Sequence, residues 1–385
     1  MPKPWLAFIE SNTSGTGRLF ARAARERGFE PLLLAAYPAR YPFLKEDNIL
    51  FRIADTSSSR SMFHELESLR TRSPIAGIYS SSEYYVGTAA DLASKLGLSG
   101  PDPAAIAICR NKWRQRVRHR EAGVPMPKFW RVDSLDGIPE IASAAQFPVV
   151  VKPTEGSGSV GVKLCHTLDE IREHGALLLA RTQNERGLPL PAEFLIEQYV
   201  RGPEFSVETF GTAVIGITAK HVSSEPWFVE TGHDFPAPID AEQAQVISCA
   251  ALGALRAVGL DWGPAHTEVR WSEQGTMVME INPRLAGGFI PKLIEDAFGI
   301  DLIGETVALV SGETPELSPS RNARASIRFL LCGEDGIVPR EIPARADDGN
   351  LRKQVEYYKA PGERCQIYHD FRDRVGHVIT TSETP

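Results

Sequence analysis

The stretch PVVVKPTEGSGSVGVKLC, residues 148–165, constrains the fold more than any other part of the chain, because a glycine run, GSGSVG at 156–161, lies between two apolar segments. A dinucleotide-binding loop requires a helix after its glycines, so that the pyrophosphate meets the helix N-terminus. Here Val160, Val162 and Leu164 alternate with Gly161, Lys163 and Cys165, which is the period of a strand. The loop therefore joins two strands. A Walker-type phosphate loop is excluded because Val162 stands where a Lys followed by Ser or Thr is needed. A protein-kinase loop carries its lysine after the glycines and requires HRD and DFG elements. This chain has Lys152 before the loop, HRE at 119–121 and HDFP at 233–236. Two readings remain. Either the hairpin wraps polyphosphate oxygens with its backbone N–H groups beside the charge of Lys152, or it is a tight turn made of small residues.

Around this hairpin the chain changes rhythm. Residues 5–9, 31–36 and 75–80 read as strands alternating with helices at 18–29, 61–72 and 83–97, which predicts a parallel, three-layer sheet. GPDP at 100–103 ends that pattern. A helix over 104–121, strands at 149–152, 160–165, 194–199 and 204–210, and a helix at 168–180 then suggest a smaller antiparallel unit with helices on one face. Strands at 213–222 and 265–282 flank a helix at 241–258. At 385 residues the chain holds two or three packed units, and 42% hydrophobic with 24% charged residues is the balance of a globular protein. A net charge of −7 without a basic block gives no electrostatic footprint for nucleic acid. No run of roughly 18 apolar residues is present, and the apolar run before Glu10 is too short for a signal peptide, so neither a membrane span nor an export signal is expected. The five cysteines, Cys109, Cys165, Cys249, Cys332 and Cys365, are scattered, which argues against a disulfide framework or a thiolate metal site and fits a reducing cytoplasm.

HTEVRWSEQGTMVMEINPRLAGG, residues 266–288, is the second informative stretch. With a hairpin turn centred near Gln274, Glu280 is the expected cross-strand partner of Glu268. Asn282 shares the face of Glu280, while Met277, Met279 and Ile281 are expected to point into a core. Like charges opposite each other repel, and a hard divalent cation removes that conflict; Mg²⁺ is commonly held by one or two carboxylates plus nucleotide phosphates. The alternative is a solvated strand face with Arg270 and Arg284 as ordinary partners.

Together these residues give the chain a resemblance to the ATP-grasp superfamily of ligases over residues 111–303, carried by Asn111-Lys112, AGVPMP, VVVKP with its glycine hairpin, IEQYVRGPEFSVE and EINPRLAGG in that order. The resemblance implies a mixed α/β and α+β ATP-grasp fold: an N-terminal parallel α/β domain (1–103), a linker helix and small antiparallel lid (104–200), a C-terminal ATP-grasp subdomain with the metal site (201–315) and a small β-rich extension (316–385). It implies ATP and Mg²⁺ as cofactors, with Mn²⁺ as a substitute. Lys112 and Lys152 would contact phosphates, and the loop with Glu155, Ser157, Gly158, Ser159 and Gly161 would fold over them. Backbone groups of Gln198 and Val200 would face adenine beside Glu197, and Glu204 would accept ribose hydroxyls. Glu268, Glu280 and Asn282 match the metal ligands, and Arg284 would stabilise the phosphoryl group or a substrate carboxylate.

Within the superfamily the chain looks most like the amino-acid ligases that form dipeptides, on the strength of ESNTSGTG and PWFVETGHDFPAP. That likeness implies substrate roles for Glu230 and His233 in a long loop: a carboxylate for an α-ammonium and a histidine that carries protons near neutral pH. Alternatively the two pin their own loop. Gly287 and Gly288 would leave space beside Arg284 for a bulky substrate, or satisfy a turn. The expected reaction is carboxylate activation by ATP as an acyl phosphate, then amide formation with an amine such as a second amino acid. A bicarbonate-activating carboxylase and a noncatalytic nucleotide sensor are the alternatives. The expected partners are small carboxylates and amines, with no nucleic acid or membrane, and a homodimer is the default assembly.

Overall fold

The computed structural model describes residues 3–13, 16–156, 158–223, 225–339 and 352–383. The N-terminal part is a parallel sheet of order β3-β2-β1-β4, made of β1 (Trp5–Ile9), β2 (Glu30–Ala35), β3 (Leu50–Ile53) and β4 (Ile75–Tyr79). Its helices are α1 (Thr16–Glu26), α2 (Phe43–Glu46), α3 (Ser59–Arg70) and α4 (Val86–Lys95). Alternate residues of β1 serve opposite layers: Ala7 and Ile9 pack under α3 and α4, and Leu6 and Phe8 pack against α1. Strand β3 escapes a reading based on buried apolar runs because it is an edge strand, with Leu50, Phe51 and Ile53 exposed.

The expected single helix over 104–121 is two helices, α5 (Pro103–Cys109) and α6 (Lys112–Glu121). Asn111 separates them: its side-chain oxygen accepts from the Arg114 N–H at 3.0 Å and caps α6. Next comes a small antiparallel sheet of order β5-β8-β6-β7, from β5 (Phe129–Val132), β6 (Val149–Pro153), β7 (Lys163–Cys165) and β8 (Phe194–Gln198). Helices α7 (Ile138–Ala144) and α8 (Leu168–Ala180) pack on one face of it. A capping box between Thr167 and Glu170 starts α8.

The remaining strands form one eight-stranded sheet, order β13-β12-β9-β10-β11-β14-β16-β15. They are β9 (Glu204–Phe210), β10 (Ala213–Val222), β11 (Glu230–Phe235), β12 (Pro264–Ser272), β13 (Gly275–Asn282), β14 (Ala323–Leu331), β15 (Arg352–Tyr357) and β16 (Arg374–Glu383). Helix α9 (Ala241–Val258) shares a core with α5, β9, β12 and β13, whereas α10 (Ile290–Phe298) and α11 (Leu302–Val310) join the large sheet to the N-terminal one. The segment after residue 316 thus builds β14, β15 and β16 into the large sheet. The scattered cysteines also yield a pair, contrary to expectation: Cys332 and Cys365 form a disulfide across 33 positions, which spacing alone could not reveal. Among the described residues no helix is long and apolar enough to cross a membrane.

Candidate active site

A cavity of about 760 Å³ opens where the three sheets meet. The parallel sheet contributes the loops at the carboxyl ends of β1, β2 and β4, the usual ligand-facing edge of such a sheet, with Asn12, Arg40 and Glu83. The small sheet contributes Lys152 and the glycine hairpin, and the large sheet contributes the carboxylates.

In the β12–β13 hairpin Glu268 faces Glu280, and His266 faces Asn282. The route to that register differs from the expected one. Ser272 pairs with Gly275, so the turn centre lies one half-step before Gln274, and an extra residue at Met279 shifts the register between Val269 and Glu268. The bulge also breaks the expected alternation. Val278 and Ile281 are in the core under α9, and Met279 lines the cavity instead of a core; Met277 is only partly buried. Neither carboxylate is left unneutralised. Lys220 Nζ lies 2.7 Å from Glu268, and Lys112 Nζ lies 3.0 Å from Glu280. His266 Nδ1 lies 2.9 Å from Glu208 and its Nε2 lies 3.3 Å from Glu268. Burial alone would lower the His266 pKa, but the two carboxylates raise it to about 9. Burial works against ionisation of Glu268 too, and Lys220 and His266 overcome it, holding the group well below the usual carboxylate range. Among the described residues no group of three or more His, Cys, Asp and Glu could hold a metal. Two carboxylates and the Asn282 amide oxygen are instead the sparse, all-oxygen set that suits Mg²⁺ when phosphates complete its coordination.

Lys112 ties the glycine hairpin to this centre. Its N–H donates to the Thr154 carbonyl at 2.8 Å, and its Nζ donates to the Gly156 carbonyl at 2.8 Å. Gly156, Gly158 and Gly161 all have positive φ, as does Ser159, so the loop needs its glycines for backbone shape. Ser159 Oγ donates to the Phe228 carbonyl at 3.0 Å, the Asn111 amide reaches Glu155 at 3.4 Å, and Ser157 lies outside the described residues. Lys152 Nζ lies 2.7 Å from Glu197, whose other partner is Arg116 of α6, Nε to carboxylate oxygen 2.7 Å. Glu197 is 0% exposed and does not face water. Burial raises its pKa and the two cations outweigh that, bringing it down to about 2. Burial lowers the Lys152 pKa, with Glu197 opposing. At the end of the same strand Arg270 donates to the Val200 carbonyl at 2.9 Å and pairs with Glu204 at 2.9 Å, and the Gln198 N–H donates to the Lys128 carbonyl at 2.9 Å.

Glu230 and His233 lie on strand β11, not in a long loop. Glu230 meets Lys220 at 3.0 Å and Arg374 at 2.5 Å, so other strands hold it and it does not pin its own backbone. His233 is 1% exposed, and among the described residues neither ring nitrogen has a hydrogen-bond partner. Burial pushes its pKa down to about 3, so the ring is uncharged near neutral pH. The two glycines divide the work. A Cβ on Gly288, at φ +60°, would lie 2.4 Å from His233 Nε2, so its bare backbone accommodates that ring; a Cβ on Gly287 would meet nothing within 4 Å. Arg284 donates to Glu83, in the loop after β4, and to the Leu285 carbonyl at 2.9 Å.

Sequence reasoning missed Glu83, Lys220, His266, Arg116 and Arg374. Lys220 had a signal, a lysine inside the apolar run of β10. Arg374 had none, because it arrives from β16.

Residues 145–292 match the ATP-grasp domain family. The chain is 36% identical over 385 residues to an uncharacterized protein of Sinorhizobium fredii, covering 98% of this chain and 78% of that one. It is 30% identical over 335 residues to carnosine synthase 1 of Gallus gallus, covering 80% of this chain but 35% of the relative, about a third of its length. Among solved structures, an L-amino acid ligase from Bacillus licheniformis superposes with a TM-score of 0.75 at 20% identity, covering 100% of this chain and 95% of that one. The chain belongs to the ATP-grasp superfamily, among its carboxylate–amine ligases.

Proposed function

We propose that the protein joins an amino-acid carboxylate to an amine, with a second amino acid as amine donor, through an acyl phosphate formed from ATP, releasing ADP and phosphate. The observation that carries this reading is the single cavity holding both halves of the chemistry: the Glu268–Glu280 pair beside the glycine hairpin, and the Arg284–Glu83 and Arg374–Glu230 pairs further along. The first half suits a metal-bound triphosphate and the second suits zwitterions.

Lys112 and Lys152 bind phosphate oxygens, Glu204 takes the ribose, and backbone groups of Gln198 and Val200 receive the base. Glu268, Glu280 and Asn282 hold Mg²⁺, which neutralises triphosphate charge when bound; an ATP-grasp relative is known with MgADP. Arg284 positions the attacking carboxylate and the charge that develops on the transferred group. The glycine hairpin keeps water from the intermediate. Glu230 binds the ammonium of the amine donor, and neutral His233 accepts a hydrogen bond near it. With one ammonium proton first lost to solvent and a second lost as the amide forms, attack of that nitrogen on the acyl carbon expels phosphate. An amino-acid pair matrix scored for ADP and product mass tests the reading, with hydroxylamine to trap the acyl phosphate and a bicarbonate-only arm. ADP release driven by bicarbonate alone, or none with any amino acid, would overturn it.

The need for ATP supports a cytoplasmic location, and thiol titration of freshly isolated protein tests whether the Cys332–Cys365 bond persists there. The apolar edge strand β3 supports a homodimer, which scattering measurements with Phe51→Glu would check.

A further inference from the structure

Nearly every charge lining the cavity is matched. Lys112 pairs with Glu280, Lys152 with Glu197, Lys220 with Glu204, Glu230 and Glu268, Arg270 with Glu204, Arg284 with Glu83, and Arg374 with Glu230. Arg40 and Arg186 differ. Both line the cavity, and among the described residues neither has a carboxylate within ion-pair distance. Arg40, exposed, lies over the Tyr37 ring, 4.8 Å to its centre. Arg186 donates to the Ser11 carbonyl at 2.9 Å and the Tyr41 hydroxyl at 3.4 Å. The one other cavity carboxylate at this end, Glu185, is bound by Arg181 at 2.9 Å and the Tyr84 hydroxyl at 2.6 Å. Behind them Glu10 is buried and does not line the cavity; its oxygens accept from the Tyr41 and Thr56 hydroxyls and the Ala36 N–H.

The location separates these guanidinia from the phosphate-binding end. Arg40 follows β2, next to Asn12 and Thr13 after β1 and Ser82 after β4, and Arg186 comes from the segment between α8 and β8. Two zwitterionic amino acids call for two cation–anion pairs, which Arg284–Glu83 and Arg374–Glu230 already supply. Two further guanidinia facing one cavity repel each other unless a ligand brings negative charge, and their planar forks suit carboxylate or phosphate oxygens.

Resting on the ligase reading, we propose that one of the two substrates carries an additional anionic group, a side-chain carboxylate or a phosphate ester, and that Arg40 and Arg186 bind it at the carboxyl ends of the parallel strands. Because Arg186 reaches across from the small sheet to Ser11 and Tyr41, an anion there also ties that sheet to the N-terminal one.

The test uses the full chain with MgATP and pairs in which one member is Asp, Glu or phosphoserine, or its neutral counterpart Asn, Gln or Ser. The expected result is a kcat/KM for an acidic member at least about tenfold above that of its counterpart. The Asp and Glu arms against the phosphoserine arm distinguish carboxylate from phosphate. Arg40→Gln and Arg186→Gln each bring that ratio towards one, and Arg186→Lys retains part of it. Arg40 is exposed, so its variant keeps the fold, as a thermal melt verifies. Equal use of acidic and neutral members, or a ratio that survives the double variant, overturns the proposal. Absence of ADP with every pair counts against the ligase reading instead. The anion site is then decided by the thermal shift that free Glu and phosphoserine give over Gln and Ser, which the double variant must abolish.

Discussion

Glu268 faces Glu280 because Met279 is an extra residue in β13; without it, the register running back from the turn would set Met279 opposite Glu268. The pair is kept from repelling by Lys220, His266 and Lys112. Glu280→Gln is expected to lower kcat/KM by at least about a hundredfold and to remove the MgATP-induced rise in melting temperature, while the free protein melts near the wild type. Wild-type turnover in the variant would remove Glu280 from the metal site.

Arg116 and Glu197 are both about 1% exposed in their side chains, and breaking a buried pair leaves a charge without its partner. Arg116→Met is expected to cost about 3 kcal/mol in urea unfolding, the low end for such pairs because Lys152 still serves Glu197. A loss within the error of the wild type would mean that Lys152 alone suffices.

Neighbouring glycines should respond differently to one methyl group. Gly288→Ala meets both a positive φ and the His233 ring, so a loss of roughly 1–3 kcal/mol in stability or a displaced ring is expected. Gly287→Ala should fold normally and alter only KM for one substrate. Thermal melts and substrate titrations of both variants check the contrast.

Phe371 packs on Gly158 of the glycine hairpin, where a Cβ would come within 2.7 Å of its ring, and nearby His369 stacks on Trp227 at 4.8 Å. Phe371→Ala should loosen the hairpin and let water reach the intermediate, raising ADP formed per product by roughly two- to tenfold. Unchanged stoichiometry would make the contact incidental.

Two histidines set an acid limit. Burial holds His119 at about 4 and His233 at about 3, both below the unfolded value of 6.5. The unfolded chain therefore takes up protons first. Stability is fully present above pH 6.5 and falls as pH drops towards 4 and 3, by an amount on the order of 1.4 kcal/mol per unit and group. Melting temperatures from pH 7 to 4.5 should fall, and His119→Leu should flatten the slope; a parallel slope would exonerate His119.

Helices α8 and α9 were legible because local chemistry marks their ends: a capping box at Thr167, and for α9 the Asp240 cap and Gly259 at φ +74°. The Glu268–Glu280 pairing was legible because a hairpin is local, though the bulge was not, since nothing in GTMVMEIN marks Met279 as the extra residue. Strand β11 was read as a loop because ETGHDF is polar, and its burial comes from neighbours distant in sequence. The charge partners were invisible for the same reason: Arg116 meets Glu197 across 81 positions and Arg374 meets Glu230 across 144.

Helix α6 sets the spacing between the small sheet and the large one. Arg116 grips Glu197 of β8 and donates to the Met279 and Val278 carbonyls of β13, while Gln115 exchanges hydrogen bonds with Ile281. One turn of helix thus acts as a rigid ruler from β8 to the carboxylate hairpin. Lineages that take larger or smaller substrates cannot stretch that gauge, so their divergence should accumulate in the segments at 36–41, 80–85 and 181–193 and leave the ruler untouched.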